Sequence, residues 1–387
     1  MAAATILLDG SILEGGGQLL RNAIALSVLL SRPIAVHNIR QNRKPPGLRP
    51  QHAAGLQVAA DICSARLSGC EIGSSSIEFT PGTVDTSKNY VANSGTAGST
   101  TLLLQVALPC LLFVPPDPQT LFGPPPSPTQ LILRGGTNAI QAPQIDYTQH
   151  VFLSFLQRHF GIAASLQVLR RGYYPKGGGE VHVSIPPLLR PLPPVTLTKR
   201  GALASISGRA YVAGLPWVLA EQMRQAAHAR LVASGIDQRV INIDAVRERE
   251  EDAVGSGSGI ILWAETEDGC RFGGGAIGKK GKKPWTVGEE AAEEILSNLR
   301  EGGCVDEYLQ DQIIVFLALA AGRSTIRTGP LTLHTKTAMW IAEELTDATF
   351  DVKEDTDGTI LLSCEGISYT SRKAAAARAH VETLASR

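Results

Sequence analysis

The sequence has no surplus of either charge: Lys plus Arg and Asp plus Glu number 36 each in 387 residues. No global field therefore draws the chain to nucleic acid or to a membrane surface, and any polyanion has to be met by a local cluster. It has no uninterrupted apolar run of about 18 residues, which leaves no candidate membrane span. The start, Met1-Ala2-Ala3-Ala4, lacks the basic flank and apolar core of a secretory signal. The six cysteines, Cys63, Cys70, Cys110, Cys270, Cys304 and Cys364, form no C-x-x-C pair and no Cys/His spacing of a zinc site. Free thiols in a reducing compartment are expected, in a protein that is nuclear or cytoplasmic and not secreted. The length admits two domains, or one large domain carrying an insertion.

What is present begins at Glu14-Gly15-Gly16-Gly17-Gln18-Leu19-Leu20-Arg21. Three consecutive glycines after the apolar Thr5-Ile6-Leu7-Leu8 remove every Cβ from a strand-to-helix turn, so backbone N–H groups can approach a ligand closely. Glu14 on one side could hold a divalent metal, and Arg21, one helical turn on, could grip a phosphate. A tight turn whose glycines serve packing alone is the alternative.

Periodicity shows one pattern three times: an apolar helix opened by small residues, a short strand, a second helix, then a pair of strands. The first copy takes a helix over 17–30, a strand over 34–39, a helix over 48–63 and a hairpin over 66–79. The second opens at Asn93-Ser94-Gly95-Thr96-Ala97-Gly98-Ser99. It continues with helices over 100–113 and 144–160 around a strand at 131–133, and two strands meeting near Tyr173 to Gly179. The third takes a helix over 306–321, a strand over 324–327, a helix over 334–345 and a hairpin around Asp355-Thr356-Asp357-Gly358. Each copy reads as an α/β layer with two helices on one face.

The expected fold class is thus α/β (α+β): a large domain holding repeats 1 and 2 in residues 1–185 and repeat 3 in residues 301–370, with a smaller inserted α/β domain over 186–300. The proline-rich 186–194 reads as a linker into the insert. Residues 115–128 contain seven prolines and read as a surface excursion, and residues 371–387 as a tail expected to form a terminal helix.

The densest basic loop carries Arg40, Arg43, Lys44 and Arg49, stiffened by Pro45, Pro46 and Pro50 and followed by Gln51 and His52. Guanidinium binds phosphate oxygens bidentately, and proline limits the cost of ordering the loop. A second candidate is His334. Gly329-Pro330 stops a strand, and His334 falls at or near the start of the next helix, where the positive dipole end keeps the ring neutral and nucleophilic. A lone histidine at a helix start is also an ordinary structural residue. His37 reads as structural, and His150, His159, His182, His228 and His380 carry no surrounding constellation.

Taken in order, Glu14-Gly15-Gly16-Gly17-Gln18, the loop from Arg40 to His52, Gly135-Gly136-Thr137, Gly177-Gly178-Gly179 and His334-Thr335-Lys336-Thr337 closely resemble the RNA 3'-terminal phosphate cyclase family, over residues 8–362. The resemblance implies a body of three repeated α/β units with a smaller inserted domain. It implies an ATP-dependent enzyme, with Mg2+ or Mn2+, that converts the 3'-phosphate end of RNA into a 2',3'-cyclic phosphodiester. His334 would attack the α-phosphorus of ATP and become adenylylated, AMP would pass to the RNA 3'-phosphate, and the vicinal 2'-hydroxyl would close the ring and release AMP. Glu14 resembles the family's metal-coordinating acid. Arg21, Arg40, Arg43, Gln51 and His52 resemble the groups that hold the ATP phosphates and the RNA terminus. Gln105 is similar to a nucleotide-site glutamine, Pro143 and Tyr308 to the pair that sandwiches adenine, and Asp311 to an acid near the nucleotide.

Of the two compartments the nucleoplasm is favoured, although no import signal separates them. The run Lys279-Lys280-Gly281-Lys282-Lys283 reads as a solvated loop that could attract a distant part of an RNA chain. Two other readings stand beside the cyclase. The family includes non-cyclising relatives that act as ribosome-assembly factors and lack the nucleophilic histidine, and a small-molecule transferase on a similar architecture would need no RNA.

Overall fold

The computed structural model describes residues 4–113 and 127–371. The excursion at 115–128, save its last two residues, and the tail after Ser371 lie outside them.

Unit 1 runs β1 (Ile6–Asp9), α1 (Gly17–Leu30), β2 (Ile34–His37), α2 (Pro50–Cys63), β3 (Arg66–Ser68) and β4 (Ile77–Thr80). β1 pairs parallel with β2, β2 antiparallel with β4, and β4 antiparallel with β3. α1 is the crossover between the two parallel strands. Leu19, Leu20, Ala23, Ile24, Ala25, Leu26 and Val28 are all buried, so the helix is apolar nearly all round, as a helix at the centre of a large domain must be. Ser31 closes it in a left-handed conformation, its N–H donating to carbonyls of the last turn. α2 starts at Pro50 rather than at Leu48, since proline suits the first helical position, where no N–H is needed.

Unit 2 repeats the scheme with β5 (Tyr90–Asn93), α3 (Thr100–Leu112), β6 (Thr129–Gly135), α4 (Ile145–Tyr147), α5 (Leu153–Phe160), β7 (Ser165–Gly172) and β8 (Gly179–Ile185). The helix expected over 144–160 is divided, a π-helical turn over Thr148–Phe152 separating α4 from α5. Unit 3 opens with β9 (Thr196–Leu197), two residues drawn from the stretch read as part of the insert. The chain then leaves for β10 (Leu203–Ala213), α6 (Val218–Ala233), β11 (Ile241–Arg247), β12 (Ala253–Val254), β13 (Gly257–Thr266), β14 (Arg271–Ile277) and α7 (Pro284–Glu301). It returns to unit 3 with α8 (Glu307–Gln312), α9 (Ile314–Leu319), β15 (Ala321–Thr328), α10 (Leu333–Leu345), β16 (Thr349–Glu354) and β17 (Ile360–Ile367). The helix expected over 306–321 is therefore two short ones, and Ala321 already belongs to a strand.

Three sheets share one topology: β1-β2-β4-β3, β5-β6-β8-β7 and β9-β15-β17-β16. In each, the first pair is parallel and the rest antiparallel. The insert has its own sheet, ordered β11-β10-β13-β14, while β12 leaves it to pair with β7 of unit 2. α1 packs against α2, α3 and α10, so all three units meet on one helix.

The insert is fastened to the body by buried polar groups. Tyr147 Oη of unit 2 donates to Asp306 Oδ1 of unit 3 at 2.7 Å, and Asp306 Oδ2 accepts from Gly273 N of the insert at 2.6 Å. Gly273 is needed there because a Cβ would run into the Tyr147 ring. Arg171, on β7, pairs with Asp146 and with Glu248 of the insert, both at 2.7 Å. Such charges are tolerated in the interior because each is paired and hydrogen-bonded. All six cysteines are free thiols. Among the described residues no helix is long and apolar enough to cross a membrane.

Candidate active site

One cleft of about 760 Å3 collects the residues singled out in the sequence. Glu14, Arg21, Arg40, Arg43, Gln51 and His52 reach it from unit 1, Gln105 and Pro143 from unit 2, and Tyr308, Asp311 and His334 from unit 3. Gly274 to Lys279 of the insert form the remaining wall. Gly135-Gly136 and Gly177-Gly178-Gly179 do not line it. Gly135, Gly136 and Gly177 allow close backbone packing around Thr96 to Gly98, where a Cβ on any of them would strike a carbonyl oxygen.

The floor is the start of α1. Gly16 is the N-cap and supplies no side-chain acceptor, so the first N–H groups of the helix remain free for an anion. The glycines also make room for side chains. The Glu14 carboxylate stands where a Cβ of Gly16 would be, and His52 Nε2 where a Cβ of Gly17 would be. His52 Nδ1 accepts from Arg49 N at 3.2 Å, so the ring proton resides on Nε2, which faces the floor. Burial, then Arg21, Arg40 and Arg49, push its pKa down to about 3. It is a neutral donor and not a cation.

Arg43 Nη2 binds the Glu14 carboxylate through Oε1 and the Glu14 carbonyl at 3.1 Å. Glu14 Oε2 is buried without a hydrogen-bond partner, and so is Arg21 Nε. Two buried polar atoms of opposite character, both unsatisfied and both on the cleft, mark a place built for a charged ligand. Arg40 is turned partly to its own loop, donating to Gly47 O at 3.1 Å. Gln51 Oε1 accepts from Ser99 N at 3.2 Å, which joins unit 1 to the N-cap of α3, and Gln51 lines the cleft.

His334 sits in the first turn of α10, capped by Thr332, whose hydroxyl accepts from Thr335 N at 3.1 Å. Gln310 fixes that turn. Its Oε1 accepts from Thr332 N at 3.0 Å and from the Thr335 hydroxyl at 2.5 Å, and its Nε2 donates to the Thr328 hydroxyl at 2.6 Å. Thr337 Oγ1 accepts from Glu14 N at 3.2 Å, tying the glycine turn to the same helix.

Gln18 adds an arrangement no local pattern revealed. Its Nε2 donates to Asp311 Oδ2, which obliges its Oε1 to face His334 Nδ1 at 2.6 Å. Oε1 can only accept, so Nδ1 carries the proton and Nε2 keeps its lone pair. Desolvation lowers the pKa of His334, with Arg21 and Arg43 adding to the shift and Glu14 opposing it. Burial pushes Asp311 up to about 7, against Arg21 and the Gln18 hydrogen bond. The result is a neutral imidazole with a directed lone pair, beside guanidinium groups.

At the other end of the cleft Tyr308 packs edge-on to Tyr147, ring centroids 5.9 Å apart. Tyr308 is 41% exposed, and it lines the cleft together with Pro143. Glu294 accepts from Gly275 N at 2.5 Å, and burial pushes its pKa up to about 7. Gln18, Gln310, Tyr147 and Glu294 had no assigned role in the sequence. Only Gln18 gave a signal, by standing inside the glycine motif.

A model of the family described as RNA 3'-terminal phosphate cyclase matches residues 12–352. The chain is 40% identical over 366 residues to a Drosophila melanogaster protein named RNA 3'-terminal phosphate cyclase, covering 94% of this chain and 97% of that one. It is 39% identical over 364 residues to a protein of the same name from Pyrobaculum aerophilum, covering 94% and 99%. A third so named, from Methanopyrus kandleri, is 38% identical over 363 residues, covering 93% and 99%. With matches of this extent to both the family model and whole relatives, the chain belongs to the RNA 3'-terminal phosphate cyclase family.

Proposed function

We propose that this protein is an RNA 3'-terminal phosphate cyclase that uses ATP, with His334 as the nucleophile. The observation that carries the reading is the Asp311–Gln18–His334 chain, because it leaves a bare Nε2 lone pair inside a cleft lined by Arg21, Arg40 and Arg43. Nε2 attacks the α-phosphorus of ATP, the bond to the β-phosphate oxygen breaks, and pyrophosphate leaves. The N–P bond so formed keeps the adenylyl group reactive. A 3'-phosphate oxygen of RNA then displaces the imidazole to give an anhydride with AMP. The 2'-hydroxyl attacks the 3'-phosphorus, loses its proton and expels AMP, leaving the cyclic diester.

The side chains do the work of charge and alignment that phosphoryl transfer asks of a protein. The α1 start, Arg21 and the His52 Nε2–H would hold phosphate oxygens, and Arg40, Arg43 and the Gln51 amide the RNA terminus. Tyr308 and Pro143 would hold the adenine ring, stacking being suited to a flat ligand, and Gln105 and Asp311 would lie beside the nucleotide. The orphaned Glu14 Oε2 fits a divalent cation, Mg2+ or Mn2+. Glu14 would be a single protein ligand, the shell of such an ion being completed by phosphate oxygens and water. Bound there, it would offset charge on the α-phosphoryl oxygens.

The test is to incubate the protein with Mg2+, ATP and an RNA ending in 3'-phosphate. The expected result is an end resistant to phosphatase, with AMP and pyrophosphate in equal amounts. A folded protein that leaves the end phosphatase-sensitive across metals and pH contradicts the reading and favours the assembly-factor alternative.

A further inference from the structure

The insert carries an exposed aromatic and cationic surface that the chemistry above does not use. Trp217 and Trp285 are each 48% exposed, although large aromatic side chains normally bury most of their surface. They stand at the same end of the insert. α6 and α7 pack together and run parallel, with Gly288 against Met223 and Glu293 paired to Arg230. Trp217 immediately precedes α6, and Trp285 is the second residue of α7. The Trp217 ring is fixed by Nε1 donating to Ala245 O at 3.3 Å.

The lysines of the β14–α7 loop adjoin this end. Lys283 Nζ lies 5.6 Å from the centroid of the Trp285 ring. Lys282 is committed to Glu290, whereas Lys279, Lys280 and Lys283 form no ion pair among the described residues. Lys279 and Lys282 also line the catalytic cleft, so the surface continues out of it.

We infer that the single-stranded body of the RNA, upstream of its 3' end, leaves the cleft along this loop and stacks on the tryptophan end of the insert. The inference rests on the RNA reading given above. Flat rings open to solvent beside unpaired cations are what sequence-independent binding of a single strand uses, bases stacking while lysines follow the phosphates. A chain with no net charge needs such a local strip, and this one starts at the cleft where the RNA terminus would react.

The test compares the wild type with Lys280→Glu/Lys283→Glu and, separately, Trp285→Ala, none of them cleft-lining residues. The substrates are a 3'-phosphorylated oligoribonucleotide of about twelve residues, within the span one such surface covers, and a 3'-phosphorylated dinucleotide. In either variant the KM for the long RNA rises roughly ten-fold, while that for the dinucleotide and the ATP dependence of self-adenylylation stay unchanged. The double charge reversal also flattens the log–log salt dependence of long-RNA binding by about 1.4 or more. An equal rise for both RNAs, or a higher KM for ATP, overturns the inference and gives the loop to the nucleotide site. No change for either RNA overturns it too and leaves the surface to a protein partner. If the wild type cyclises neither substrate, the cyclase reading itself has failed, a result distinct from all of these.

Discussion

Gln18 holds two partners with one amide, and the two contacts are not independent. Because its NH2 end is taken by Asp311, its carbonyl end must face His334 and fix the tautomer. Gln18→Met keeps the volume and removes both contacts. It is expected to slow formation of an ATP-derived adduct by about two orders of magnitude, by analogy with losing the group that orients a catalytic histidine, with little change in ATP affinity. An unchanged rate in a single-turnover assay contradicts that role. The imidazole must be neutral to attack, and its pKa is depressed by desolvation, so the acid limb of adenylylation should fall below the ordinary histidine value of 6.5. Asp311 makes a stability prediction. Its folded pKa of about 7 exceeds the ordinary 3.8, so the folded state binds the extra proton and stability declines as pH rises between those values. Asp311→Asn should remove that decline, a gain on the order of 4 kcal/mol at pH 8, read from urea unfolding at pH 5 and pH 8. Matching slopes in wild type and variant contradict it. At this scale the sequence exposed the charged and nucleophilic groups. The amide stayed hidden because its partners lie 293 and 316 residues away.

At the scale of elements, the glycine turn was readable but its reason was not. A tight turn and a phosphate cradle need the same residues, and the structure adds that Glu14 and His52 occupy the space the missing Cβ atoms leave. Gly17→Ala should therefore displace His52 and raise the KM for ATP by roughly ten-fold without unfolding α1, since Gly17 is its first residue, has no left-handed backbone angle, and alanine is a good helix former. An unaltered KM contradicts the placement of His52. The start of α10 depends on Gln310 in the same way. Gln310→Leu leaves the Thr332 N–H and two threonine hydroxyls without their partner and should cost about 2 kcal/mol of stability. Periodicity located both helices, since it reports which face is apolar. It did not report the π-helical turn over Thr148–Phe152 or the division of α8 from α9, because an apolar face continues across both breaks.

At the scale of the molecule, the threefold pattern was legible because each unit buries one helix face in a common core. The first strand of unit 3 was not, since β9 is two residues long and shows no period. Chain order also concealed that units 1 and 3 meet across α1 and α10, which is what assembles the cleft. The joint of unit 2, unit 3 and the insert turns on Asp306, which accepts from Tyr147 Oη and from the backbone of Gly273, Tyr308 and Leu309. Asp306→Ala should cost on the order of 3 kcal/mol and loosen the insert, detectable as faster amide exchange in β14. Unchanged exchange there would contradict the joint.

The most direct test of the account is to find where AMP is carried. After incubation with Mg2+ and ATP, the protein is digested and its peptides are weighed. The account predicts a single AMP-bearing peptide containing His334, with an acid-labile, alkali-stable bond that disappears on addition of 3'-phosphorylated RNA and is absent from His334→Ala. An adduct on another residue, or one that persists in a folded His334→Ala protein, would contradict it.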